Sequence, residues 1–124
     1  VTGVGTIGIP FLIVDNNPIY FKDGNIIWFK NKKAINGKFL FYSFISTAIQ
    51  NFIIESAGIG TVGTYTIDSG KRTPIMLPKK MKEQVQIGLY LKNIDDLIIK
   101  QQTQLSKLQN IKKACLDKMF VTKE

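Results

Sequence analysis

Histidine is absent from the 124 residues, and cysteine occurs once, at Cys115. Without histidine the chain lacks the side chain that most often serves as a general base, and no lysine is spaced with a serine as a nucleophile pair. Asp95 and Asp96 do not suggest a metal site. Neighbouring residues on a helix point about 100° apart, so the pair cannot share an ion. A single cysteine excludes an internal disulfide, and Cys115, set on an apolar stripe, reads as a small buried hydrophobe in a reducing cytoplasm. No apolar run approaches the ~18 residues of a membrane span. The first residue is Val1 rather than Met, so the sequence reads as an internal piece of a larger chain. These absences give little support to catalysis or to a metal site.

Proline is absent as well from Met81 to Met119, thirty-nine residues that predict one helix about 58 Å long. Its apolar stripe runs through Ile87, Leu91, Ile94, Ile98, Gln101, Leu105, Leu108, Lys112, Cys115 and Met119, in steps alternating between four and three. That is the 3.5-residue repeat of a coiled-coil seam, interrupted only by Gln101 and Lys112. A seam this long calls for a partner helix.

Acid is scarce relative to base. Seventeen Lys and Arg stand against nine Asp and Glu, a formal charge of +8. The excess is spread over both parts of the chain, and it suits either a nucleic-acid partner or solubility alone.

From the start, Val1–Gly8 is glycine-rich and Pro10–Val14 apolar, and Asp15-Asn16-Asn17-Pro18 reads as a turn. Ile19–Phe21 and Ile26–Lys30 read as strands about an Asp23-Gly24-Asn25 turn, completing an antiparallel meander of three strands. Lys30, Lys32 and Lys33 then form either a phosphate-facing patch or a solvated turn. Asn36 can cap a helix ending by Gly58, with Phe41, Phe44, Ile45, Ala48, Ile49 and Phe52 inward. Thr64–Ile67 and Thr73–Leu77 read as short strands before Pro78. The resulting fold class is α+β: a small mixed domain followed by one long coiled-coil-forming helix.

Gly3-Val-Gly5-Thr-Ile-Gly8 and Gly58-Ile-Gly60-Thr-Val-Gly63 both satisfy G-x-G-x-x-G. A dinucleotide site needs a strand before this motif and a helix after it. The first copy runs into Pro10, and the second lies between a helix and a strand. Loops that approach another surface closely are the better reading.

Ile75-Met76-Leu77-Pro78, Glu83-Gln84, the seam from Ile87 to Leu108, Lys112-Lys113, Leu116 and Met119-Phe120 together resemble the end of a DNA-specificity (S) subunit of type I restriction-modification systems. Upstream, Gly5-Thr6-Ile7-Gly8, the hairpin to Phe29, Lys38-Phe39-Leu40 and Gly60-Thr61-Val62 resemble the back half of a target recognition domain. The family's usual double proline is Pro78-Lys79 here. The resemblance implies a partial recognition domain over residues 1–78 and a conserved long helix over 79–124, together less than half of a subunit.

It further implies that the chain reads double-stranded DNA and positions modification subunits and, through them, the restriction subunit, while S-adenosylmethionine and ATP belong to those partners. The long helix would pair with a second conserved helix or a second copy. Base reading needs polar side chains on a loop entering a groove, with basic residues on the phosphates. The loop Gly60–Arg72 offers Thr61, Thr64, Tyr65, Thr66, Lys71 and Arg72, with Lys30, Lys32 and Lys33 as a second set. Arg72 could equally cap a strand edge. The competing reading is a coiled-coil structural or interaction protein with a basic head and no sequence-specific DNA role.

Overall fold

The computed structural model describes residues 1–15, 17–21, 24–31, 34–57 and 63–120. Four helices appear among them: α1 (Gly37–Ile45), α2 (Thr47–Ser56), α3 (Ile67–Arg72) and α4 (Met81–Met119). By internal contacts the chain divides into two compact units, Val1–Leu89 and Tyr90–Glu124, and the boundary falls within α4.

The first unit is built on α1 and α2. Asn36 caps α1, its side-chain oxygen accepting from the Phe39 N–H at 3.0 Å, as the sequence predicts. The single helix expected from Asn36 to Gly58 is instead two. Ser46 stands in an extended conformation between them, and the Gln50 amide donates to the Phe44 carbonyl at 2.6 Å and to Gly8 O at 2.9 Å. A side chain thus occupies the carbonyl that a continuous helix would use four residues on. The break also resets the inward face. Phe44 and Ile49 are buried as expected, Ile45 and Ala48 are exposed, and Phe39 and Ile53 take their places.

Phe44, Ile49, Ile53 and Tyr65 make the core, with Ile7, Ile27, Phe29, Leu40 and Ile75 packed around it. Phe29 meets Phe44 with ring centroids 4.9 Å apart, within the range of favourable aromatic pairs.

The expected strands are reduced, among the described residues, to two isolated antiparallel bridges, Thr2 with Ile26 and Val4 with Thr64. The N-terminal segment is the shared member: Gly3 donates to Asn25 O at 2.8 Å and accepts from Tyr65 N at 2.7 Å. The described part of the fold is therefore mostly helical, and the α+β expectation is not met. A strand is stabilised by a paired neighbour and a packed face together. Phe11, Val14 and Tyr20 lie largely exposed, so the described part of the stretch meant to complete the meander packs little of its apolar surface. Of the turn expected before Ile19, Asn16 lies outside the described residues, and Asp15 accepts from the Asn17 backbone N–H at 3.2 Å.

The first glycine motif is a tight turn rather than a phosphate loop. Gly5 and Gly8 adopt φ values of 76° and 81°, open to glycine at little cost, and the Gly8 N–H returns to Thr2 O at 2.9 Å. An added Cβ on Gly8 would lie 3.1 Å from an Ile53 methyl, so the turn sits directly on α2. The second motif falls mainly on residues outside the described set.

α4 covers the span that the sequence predicts. No described helix is long and apolar enough to cross a membrane.

Candidate nucleic-acid interface

Lys32, Lys33 and Thr61 lie outside the described residues. The other six candidates for DNA contact fall on three segments of the first unit. Lys30 is exposed at the end of the segment that begins with the Ile26 bridge. Thr64, Tyr65 and Thr66 lead into α3, and Lys71 and Arg72 are its last turn.

α3 stands mostly where the sequence predicts a loop between two short strands, sharing only Ile67 with the first of them, and its origin is local. Thr66 caps it, the hydroxyl oxygen accepting from the Ser69 N–H at 3.1 Å. Asp68 lies in the first turn and Lys71 and Arg72 in the last, each sign at the end that the backbone dipoles favour. Thr73 then returns a hydrogen bond to Ser69 O at 3.0 Å.

This geometry divides the candidates. Thr64 and Thr66 are exposed, as are Lys71 and Arg72. Tyr65 is 1% exposed and its hydroxyl bonds to the Thr73 hydroxyl. Burial raises the Tyr65 phenol above the usual tyrosine value, partly offset by that bond. It is a core side chain, and its expected place among the groove-facing donors is corrected. Alternation along Thr64-Tyr65-Thr66 turns the ring to the core and both threonines to water.

Gly70 is buried against the tip of the Phe29 ring, where an added Cβ would lie 3.2 Å from Cζ. The segment carrying Lys30 and the turn carrying Lys71 and Arg72 are therefore neighbours in the fold. Lys71 lies 3.6 Å from Asp68, with both side chains more than 70% exposed. In water a pair this open is worth little and yields readily to a phosphate. Arg72, the sole arginine of the sequence, brings a planar fork that can take phosphate or guanine in two bonds.

The seam residues of α4 divide in a different way. Ile87 belongs to the first unit and is half-buried. Leu91 and Ile94 are half-buried, while Ile98, Gln101, Leu105, Leu108, Cys115 and Met119 are exposed. Asp96 takes the Lys92 ammonium at 2.5 and 2.6 Å, one helical turn away. No group of three or more His, Cys, Asp or Glu able to hold a metal occurs among the described residues.

Two residues with structural roles lie at the head of α4. Gln84 is buried, its oxygen accepting from Asn36 N and its nitrogen donating to Pro78 O at 3.1 Å. Gly88 faces the start of α1, with Phe39 N 2.9 Å from the position of an added Cβ.

The family model for the type I restriction modification DNA specificity domain matches residues 2–110. No curated protein and no solved structure gives a significant match.

Proposed function

The chain belongs to the family of type I restriction modification DNA specificity domains, and from that premise we propose that it reads one part of a DNA target and helps position the enzymes that act there. Specificity is the family's role. The observation that carries the reading is that the match spans both the compact first unit and most of α4. Residues 1–78 act as the recognition part, and 79–124 as the spacer and pairing helix. Thr64, Thr66, Lys71 and Arg72 face the DNA, with Lys30 on the adjoining segment.

α4 pairs through its exposed seam, and modification subunits bind the assembled protein and bring the restriction subunit with them. S-adenosylmethionine and ATP are bound by those partners. What supports this division of labour is the family's place as the specificity part of the system.

The test is a duplex DNA titration at several salt concentrations. With three to five phosphate contacts the log affinity should fall against log salt with a slope of about −3 to −5. A slope near zero would overturn the reading.

A further inference from the structure

The exposure of the six residues of α3 follows the helical period. Ile67, Asp68, Lys71 and Arg72 are exposed, while Ser69 and Gly70 are buried. At about 100° per residue the four exposed side chains fall on one arc and the two buried ones on the opposite arc. A surface that met phosphates alone would need only donors. This arc also carries an apolar side chain and a carboxylate, neither of which has a hydrogen to offer a phosphate oxygen.

Asp68 is the one acid between Glu55 and Glu83. Its place in the first turn suits the backbone dipoles, yet its side chain is 84% exposed and its pair with Lys71, at 3.6 Å, is a weak one. Once Lys71 turns to a phosphate, the carboxylate stands unpaired against a polyanion. That costs affinity on any duplex unless a base edge supplies a donor.

Resting on the reading above that α3 faces DNA, we propose that Asp68 is a specificity-determining residue, accepting a hydrogen bond from the exocyclic amino group of a cytosine in the major groove. Cytosine presents that donor without an acceptor of its own beside it. Adenine sets its amino group next to the N7 lone pair, and guanine and thymine present acceptors, all of which repel a carboxylate. Arg72 lies one helical turn from Asp68 on the same arc, placed for the guanine of the same or the adjoining pair. The acid thus lowers binding to DNA at large and restores it where a cytosine stands opposite, so the two effects add to discrimination.

The test selects duplexes from a random-sequence pool with the full chain, Asp68→Ala and Asp68→Asn. Each protein is then titrated with the wild-type selections, with their single base-pair variants and with the unselected pool. The wild type should favour cytosine at one position by about tenfold over the other bases. Asp68→Ala should lose that preference, keep those at other positions and bind the unselected pool severalfold more tightly. Asp68→Asn should turn the preference to adenine, whose N6 and N7 match an amide. Unchanged preferences in Asp68→Ala would overturn the assignment, as would a uniform loss at every position, the mark of a merely structural role. So would a wild type that binds duplexes without selecting a cytosine. A wild type that binds no duplex would overturn the DNA reading itself and this assignment with it.

Discussion

The side-chain oxygen of Gln84 accepts the backbone N–H of Asn36 at 2.9 Å, joining the head of α4 to the residue that caps α1. The Gln84 nitrogen donates to Pro78 O, so one buried amide satisfies two backbone groups 42 positions apart in sequence. Gln84→Ala leaves both unpaired. At about 1–3 kcal/mol for each buried group without a partner, we expect a loss of roughly 2–4 kcal/mol. Urea unfolding of the two proteins measures it, and a change below about 0.5 kcal/mol, the usual range for a surface substitution, would show that the bridge contributes nothing.

Gly88→Ala sets two effects against each other. Helix propensity favours alanine by about 1 kcal/mol. The new methyl, however, would lie 2.9 Å from both Lys38 Cβ and Phe39 N, and 3.1 Å from the Asn36 oxygen that caps α1. Backbone cannot yield as a flexible side chain does, and overpacking costs about 1–3 kcal/mol. The substitution should therefore destabilise, with a lower thermal midpoint. A higher one would mean that α4 moves away without cost.

Tyr65 gives a pH dependence. Burial raises its phenol above the ordinary tyrosine value, so the folded state favours the neutral form. Its contribution is fully present below the unfolded value and is lost as pH rises through the folded one. Stability should fall at pH values beyond about 10, and Tyr65→Phe should flatten that fall. The substitution should also cost about 0.5–1.5 kcal/mol through the lost bond to Thr73. Parallel alkaline curves for the two proteins would contradict this.

Leu105 is 56% exposed in the middle of the seam. A charge there should disfavour any paired helix. Leu105→Asp should sediment as a monomer at concentrations where the wild type is a dimer. Identical monomeric profiles for the two would refute pairing through α4.

The extent of α4 was legible because its signals are local: no proline within, a sustained heptad, and Pro78 just before it. The Asn36 cap was legible for the same reason. The break at Ser46 was not, since no Gly or Pro marks it and its cause is the Gln50 amide reaching back to Phe44 and Gly8. The strands misled because alternating apolar residues record only a tendency to extend, whereas bridging depends on neighbours distant in sequence. α3 did leave a signal in the cap at Thr66, the acid at Asp68 and the bases at Lys71 and Arg72. Gly70 within it and β-branched residues on both sides argued the other way. Of the candidate DNA face, Thr64, Thr66, Lys71 and Arg72 are exposed as the reading requires, and Tyr65 could have been set apart by the two-residue period alone.

On the proposed reading DNA meets the first unit at α3 while α4 meets protein. The most direct measurement compares two double substitutions, Lys71→Ala with Arg72→Ala and Lys112→Ala with Lys113→Ala, in duplex DNA titrations across salt. Each pair removes two positive charges, so charge alone predicts equal effects. Losing Lys71 and Arg72 should flatten the log–log salt slope by about 2, roughly 0.9 per phosphate contact, while losing Lys112 and Lys113 should leave it near the wild-type value. Equal flattening by both pairs would contradict the assignment of DNA to the α3 face.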